Sequence, residues 1–264
     1  MDCRHFTAAL VAWIKEQVHG AGAQGVTFGL SGGVDSAVVA GLARQAFPDT
    51  ALGVIMPCHS DPRDVRDAHA VAKAFGLPTC TVVLDRLYDM FLGSLDEGAG
   101  FVPSGSTRAR RDLAAVNLKP RLRMVALYYI ANRKNYLVLG PSNRSELAVG
   151  YFTKYGDGGA DLLPLAGLVK RDVWRLASFL GVPAEVIDRP PSAGLWMGQT
   201  DEQEMGLTYQ ELDHFLLTGE EGENAAQLQN MMAASQHKRV MPPAPPLTSE
   251  DLDPPTEKCG EGVD

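Results

Sequence analysis

The segment from Val26 to Ala43 constrains the fold more than any other. An apolar run (Val26, Phe28, Leu30) enters the turn Gly29-Leu30-Ser31-Gly32-Gly33-Val34-Asp35-Ser36, and a helix-like run (Ala37, Val38, Val39, Ala40, Leu42, Ala43) leaves it. The order strand, glycine turn, helix is that of a βαβ unit in a parallel sheet. The first N–H groups of such a helix have no intrahelical acceptor and carry the positive end of its dipole, so the turn favours a bound phosphate. Ser31 and Ser36 add hydroxyl donors, and Gly32 and Gly33 let phosphate oxygens approach the backbone. Asp35 would repel that phosphate unless a cation lay between them, and Mg²⁺ is the natural bridge. The bland alternative is a glycine turn with incidental polar neighbours.

Strand and helix alternate along the rest of the first half. An amphipathic helix is expected over 6–19, strands over 25–30, 51–56 and 79–84, and helices over 34–46 and 62–75, the last ending at Gly76. A long helix is expected over 110–132 and a fourth strand over 136–139. A turn at Gly140-Pro141-Ser142 then leads into a helix near Glu146. Shorter helices are expected over 170–181, 209–217 and 223–234. Residues 97–107 and 188–206 read as mobile loops. The expected fold class is α/β, a doubly wound parallel sheet in a single Rossmann-like domain over 1–241. The stretch 242–264, rich in proline and acids, reads as a disordered tail. In an open parallel sheet the ligand lies beyond the carboxyl ends of the strands, so the loops after strands 1, 2 and 4 should face one site.

Composition removes several classes. A net charge of −8 argues against a broad nucleic-acid surface. The four cysteines (Cys3, Cys58, Cys80, Cys259) are scattered, which disfavours a zinc site or a disulfide framework and fits a reducing cytoplasm. No signal-peptide core or membrane-length apolar run is present. The turn lacks the lysine of the G-x-x-x-x-G-K-[ST] loop, which excludes that class of nucleotide site.

Three further blocks carry polar residues at close spacing. In Asn117-Leu118-Lys119-Pro120-Arg121-Leu122-Arg123-Met124, the two arginines diverge on a helix, so one serves a site or both belong to a solvated face. In Asn143-Arg144-Ser145-Glu146, a helix start either binds an anion, with Glu146 as a Mg²⁺ ligand, or is simply capped. The glycine-rich block 150–161 interleaves Tyr151, Phe152, Lys154, Asp157 and Asp161, which points to function more than to a bland loop.

The pattern Ser-Gly-Gly-x-Asp-Ser resembles the pyrophosphate loop of the N-type ATP pyrophosphatases. With 117–124, 143–146, 151–161, 163–171, 191–195 and His237-Lys238-Arg239 in this order, the chain over roughly 5–240 is similar to the ammonia-dependent NAD synthetases. The resemblance implies that deamido-NAD, ATP and ammonia give NAD, AMP and pyrophosphate through an acyl-adenylate. It implies ATP binding by Ser31, Gly32, Gly33, Val34, Asp35, Ser36, Arg123, Lys170 and Ser192, and Mg²⁺ binding by Asp35 and Glu146. It also implies deamido-NAD binding by Lys154, Asp157, Asp161, His237 and Lys238, with Asp35, Lys170 and Asp157 catalytic. A cytoplasmic homodimer follows from it, with the N-terminal and 110–132 helices as candidate interface. No glutaminase domain is present, so ammonia comes free or from a separate glutaminase. Pro141 stands where many relatives have threonine, and Gly194 where many have aspartate. Two rival readings are a tRNA-modifying adenylating enzyme, which would want a basic surface and cysteines, and a non-catalytic nucleotide sensor, which would have lost Asp35, Glu146 or Lys170.

Overall fold

The computed structural model describes residues 2–100, 113–196, 198–220, 222–246 and 249. Among them the elements run α1 (Cys3–Gly20), β1 (Gly25–Gly29), α2 (Val34–Ala46), β2 (Ala51–Ile55), α3 (Pro62–Phe75), β3 (Thr79–Thr81), α4 (Asp85–Ala99) and α5 (Leu113–Lys134). They continue with β4 (Tyr136–Val138), α6 (Arg144–Val149), α7 (Lys170–Leu180), α8 (Ala184–Ile187), α9 (Asp201–Met205), α10 (Tyr209–Thr218), α11 (Ala225–Ala234) and a 3-10 turn, Gln236–Lys238.

The strands form one parallel sheet in the order β3-β2-β1-β4. The chain steps outward from β1 to β3 and then returns to pair β4 on the other side of β1. That reversal opens a crevice at the carboxyl ends of β1 and β4, where doubly wound sheets bind their ligands. One face of the sheet carries α1, α2, α3 and α7 around Ile14, Phe28, Leu42, Val71 and Leu176. The other carries α4 and α5 around Val54, Tyr88, Leu127 and Val138. With both faces covered, the first four residues of β1 are buried, as a central parallel strand requires. A smaller cluster, Val149, Met205, Leu207, Tyr209, Leu212 and Leu228, joins α6 to α10 and α11.

Local signals account for the helix ends. The Asp61 carboxylate caps α3 by accepting from Arg63 N at 2.8 Å, Pro62 follows it, and Gly76 ends the helix in the left-handed region at φ 57°. Strand β3 is shorter than the expected 79–84, yet Val82 N and Leu84 N still donate to Ile55 and Pro57, so the edge stays paired beyond the regular strand. Two helices depart from expectation. α4 occupies 85–99 and takes the first residues of the supposed 97–107 loop, and α9 lies inside the supposed 188–206 loop. The rest of the 97–107 reading beyond Gly100 lies outside the described residues, as does most of the 242–264 tail.

Gly150 ends α6 at φ 70°, and a Cβ there would stand 2.1 Å from the Ser235 Cβ. Strain and clash act together, so Gly150→Ala should cost about 2–3 kcal/mol of stability. The expected result is a lower urea midpoint at unchanged m-value, with faster amide exchange at 235–239.

Candidate active site

A cavity of about 490 Å³ lies beyond the carboxyl ends of β1, β2 and β4. Its walls include Ser31 and Gly33 after β1, Met56 and Ser60 after β2, Gly140 and Glu146 after β4, and Arg123 from α5. The loops expected to converge do so.

Lys170 is the centre of this site. It is 1 % exposed, and its Nζ donates to Asp35 Oδ2 at 2.6 Å and to Glu146 Oε1 at 3.0 Å. The Tyr209 ring lies 4.8 Å from the same nitrogen. Burial opposes the lysine's charge, but Asp35 and Glu146 outweigh it and hold its pKa above the ordinary value. Burial pushes the Glu146 carboxyl up to about 7, although Lys170 pulls it down. Asp35 also accepts from Asn143 Nδ2 at 2.8 Å. Asn143 therefore does two things: its side-chain oxygen caps α6 through Glu146 N, and its amide group orients Asp35. Of the two open readings of 143–146, the cap is present, and Glu146 also stands in the cavity wall.

Lys170 opens α7, whose N-cap position is Val169, a residue with no capping side chain. The Asp213 carboxylate of α10 takes that role from across the fold, accepting from Lys170 N at 3.3 Å and Arg171 N at 2.7 Å. Ser145 Oγ donates to the same carboxylate and accepts from Lys170 N at 3.0 Å. The backbone of Lys170 is fixed before its side chain reaches the site.

The glycine turn has an internal brace. Ser36 Oγ donates to Gly33 O at 2.9 Å and lies 3.0 Å from Ser31 Oγ, while Gly33 N donates to Ser31 Oγ at 3.2 Å. Gly32, at φ 85°, backs against α3, where a Cβ would fall 2.4 Å from Asp64 O. Ser31, Gly33, Val34, Asp35 and Ser36 line the cavity, whereas Gly32 provides the close approach of the turn to α3.

The other expected residues divide into two groups. Arg123, Asp157, Ser192 and Lys238 line the cavity. Arg123 donates to Met56 O at 3.0 Å and Ser60 Oγ at 3.1 Å, which resolves the divergent arginine pair in its favour. Asp157 accepts from Thr153 N at 2.9 Å. Lys238 Nζ donates to Gly150 O and Phe152 O, tying the C-terminal turn to the glycine-rich block. Lys154, Asp161 and His237 are not in the cavity wall. Lys154 Nζ donates to His237 O at 2.6 Å, and Asp161 accepts from Val138 N and Tyr128 OH, which fastens its loop to β4 and α5. Gly194 adopts φ 63°, a backbone position that suits glycine better than the aspartate the family resemblance led us to expect.

Sequence reading missed several residues here. Arg189 pairs with Asp64 and Asp67 and pins the 188–199 segment to α3. Lys119 Nζ donates to Leu195 O at 2.9 Å, and Gln199 bridges Leu195 N to Glu204. Tyr209 and Asp201 stand behind Lys170. For Gln199, Asp201 and Glu204 the signal was the density of Gln, Asp and Glu over 199–204, and Lys119 lay within the polar block 117–124.

Asp213→Ala removes the acceptor for two helix N–H groups and a buried hydroxyl. The expected loss is about 2 kcal/mol or more, read by chemical denaturation as a lower urea midpoint.

The NAD synthase family model matches residues 6–242. The NH(3)-dependent NAD(+) synthetase of Carboxydothermus hydrogenoformans is 50% identical over 242 residues, covering 91% of this chain and 97% of that protein. Among solved structures, the NMN synthetase of Francisella tularensis superposes with TM-score 0.86 at 35% identity, covering 94% of this chain and 100% of that one. The NH3-dependent NAD synthetase of Campylobacter jejuni gives TM-score 0.73 at 29% identity, with 92% and 99% coverage. The resemblance carried by the glycine turn, the 150–161 block and the C-terminal turn therefore extends over the length of the fold, and the chain belongs to the NAD synthase family.

Proposed function

We infer that this chain is an ammonia-dependent ligase that amidates deamido-NAD to NAD with ATP. The observation that carries the reading is the meeting of Lys170, Asp35 and Glu146 at the N-terminus of α2 in a chain of this family. A nicotinate carboxylate is a poor acyl donor. One of its oxygens attacks the α-phosphorus of ATP, the bond to the bridging oxygen breaks, and pyrophosphate leaves. Ammonia then attacks the acyl carbon of the adenylate, AMP leaves with the electron pair of the broken C–O bond, and the amide nitrogen gives up a proton. Catalysis of this kind rests on positioning and on neutralising developing charge. Lys170 supplies charge beside the leaving pyrophosphate. The α2 N-terminus, Ser31, Gly33 and Ser36 receive phosphate oxygens, Gly32 holds the turn in shape, and Val34 supplies a backbone N–H. Arg123 and Ser192 contact ATP from the α5 and 188–199 sides. Asp157 and Lys238 contact the nicotinate half, and Lys154, Asp161 and His237 bind the outlying parts of the dinucleotide.

Asp35 and Glu146 suit Mg²⁺, a hard cation that keeps water and phosphate oxygens beside one or two carboxylates. Among the described residues no group of three or more acidic, histidine or cysteine side chains forms a metal cage. The upward push on Glu146 is what a cation would relieve. When bound, Mg²⁺ neutralises charge on the phosphates.

The likeness to an NMN synthetase supports a second reading, in which the acyl donor to ammonia is nicotinate mononucleotide, with the same carboxylate chemistry. We take 1–241 as the catalytic domain and 242–264 as a tail. No helix among the described residues is long and apolar enough to cross a membrane, and we propose a cytoplasmic location. We also propose a homodimer. The exposed apolar residues Leu87, Met90, Phe91 and Leu95 of α4, with Val125 and Tyr129 of α5, make a patch of the kind that marks association. Among the described residues of α1 only Trp13 is a large exposed apolar side chain, so we propose α4 beside α5 in this interface in place of the N-terminal helix.

Three experiments test these statements. Protein incubated with MgATP, ammonium and either deamido-NAD or nicotinate mononucleotide should release AMP and pyrophosphate. Mass spectrometry should find NAD from ammonium and none from glutamine, and the preferred acid decides between the two readings. Lys170→Met should lower kcat roughly 100- to 1000-fold, and a drop under threefold would remove Lys170 from the mechanism. Light scattering should give a dimer that Met90→Glu with Phe91→Glu converts to a monomer, and a monomeric parent protein would refute the interface.

A further inference from the structure

Among the described residues, Asp201 is the acidic residue of the cavity wall with a fully buried oxygen that no donor answers. It opens α9, is 3 % exposed, and lines the cavity. Its Oδ2 accepts from Tyr209 OH at 2.8 Å, while its Oδ1 is buried and has no hydrogen-bond partner. A buried carboxylate oxygen without a donor is costly, and native structures seldom leave one without a reason. Nearby, Glu204 accepts from Tyr151 OH at 2.8 Å and from Gln199 Nε2 at 2.7 Å. Burial and the two carboxylates, Asp201 and Glu204, all raise the Tyr151 hydroxyl's pKa, so that hydroxyl keeps its proton and sits between them.

The charge of this corner is unbalanced. Lys170 is already committed to Asp35 and Glu146. Asp201 and Glu204 have no cation of their own in the same wall among the described residues. ATP presents phosphates, which these groups repel, and the nicotinate dinucleotide adds a carboxylate and a pyridinium ring whose delocalised positive charge carries no N–H to give a buried carboxylate oxygen. The reaction has one singly charged cationic substrate, and it carries only N–H donors.

We propose that Asp201, with Tyr151 and Glu204, forms a subsite that binds the ammonium ion from the cavity, Asp201 Oδ1 being its first acceptor; this rests on the amidation reading. The subsite concentrates ammonium beside Glu146, which shares the Tyr209 hydroxyl with Asp201, and Tyr209 holds the second Asp201 carboxylate oxygen in place. It explains how a chain with no ammonia-producing domain among its described residues collects the dilute protonated form of its nucleophile, which hands one proton to a carboxylate of the subsite before the freed lone pair attacks the acyl carbon.

The test uses the whole enzyme. Asp201→Asn keeps the shape and removes the charge. Its KM for ammonium should rise roughly tenfold or more, with KM for ATP moving less than twofold. With neutral hydroxylamine as nucleophile, the loss should be at least about tenfold smaller than with ammonium, as expected when a charge contact alone is removed. An unmoved ammonium KM, an equal rise in the KM for ATP (a role in holding MgATP), or parallel losses with both nucleophiles (a structural role) would each overturn the subsite. A measurement independent of folding variants uses rubidium, a monovalent cation close to ammonium in size. In the parent protein rubidium chloride should inhibit competitively against ammonium and not against ATP, and its anomalous peak should appear beside Asp201 Oδ1. A peak elsewhere, or only water at that oxygen, would refute the proposal. Failure of the parent protein to form NAD from ammonium would instead sink the amidation reading, and the subsite with it.

Discussion

A lysine that is almost wholly buried keeps its charge only because two carboxylates face it, and those carboxylates come from distant parts of the chain. Taking the ammonium of Lys170 out of water costs several kcal/mol, and an uncompensated carboxylate in the same place costs as much. Each member of the trio is tolerable only while the other two are present. The glycine turn, the start of α6 and the start of α7 therefore have to arrive together. The sheet order makes this geometrically natural, because β1 and β4 are neighbours and both of the acidic segments leave their carboxyl ends.

The supports around the trio work through backbone more than through side chains. Asp213 supplies the cap that Val169 does not, Asn143 joins the cap of α6 to the carboxylate of Asp35, and Ser36 braces the turn from within. None of these residues needs to touch a substrate. Their effect is to fix three helix starts so that the charged groups can vary only in rotamer, which is the preorganisation that charge-stabilising catalysis depends on. On the opposite wall, Arg189, Lys119 and Gln199 hold the 188–199 segment against α3, α5 and α9 through polar contacts.

Legibility in the sequence followed local physics. Helix α3 could be read to the residue because Asp61, Pro62 and Gly76 mark both ends by their own conformational preferences. α2 could be read because a glycine turn precedes it and its apolar run is dense. α4 was missed for the converse reason: Leu84 caps nothing, and Gly93 and Gly98 weaken the helical signal. Asp35 and Glu146 stood out within their own segments, but Lys170, and the meeting of the three across 135- and 24-residue separations, were legible only through likeness to a family. Asp213 and Asp201 left less still. A carboxylate that caps a helix across the fold, or one that stands behind a buried lysine, looks in sequence like any other acid on an amphipathic helix.

The trans cap has a consequence for synthesis. Lys170 emerges from the ribosome long before Asp213, yet the start of α7 is incomplete until α10 packs against it. The sheet and both of its covering layers can form on a nascent chain that has reached α7, and domains do fold from the N-terminal end as they are made. A chain halted between those two points would own every strand and most of its core, but would hold its central cation in a loosely fixed helix end. Possession of the architecture and possession of the chemistry are thus separated in time, by the interval needed to make some forty more residues.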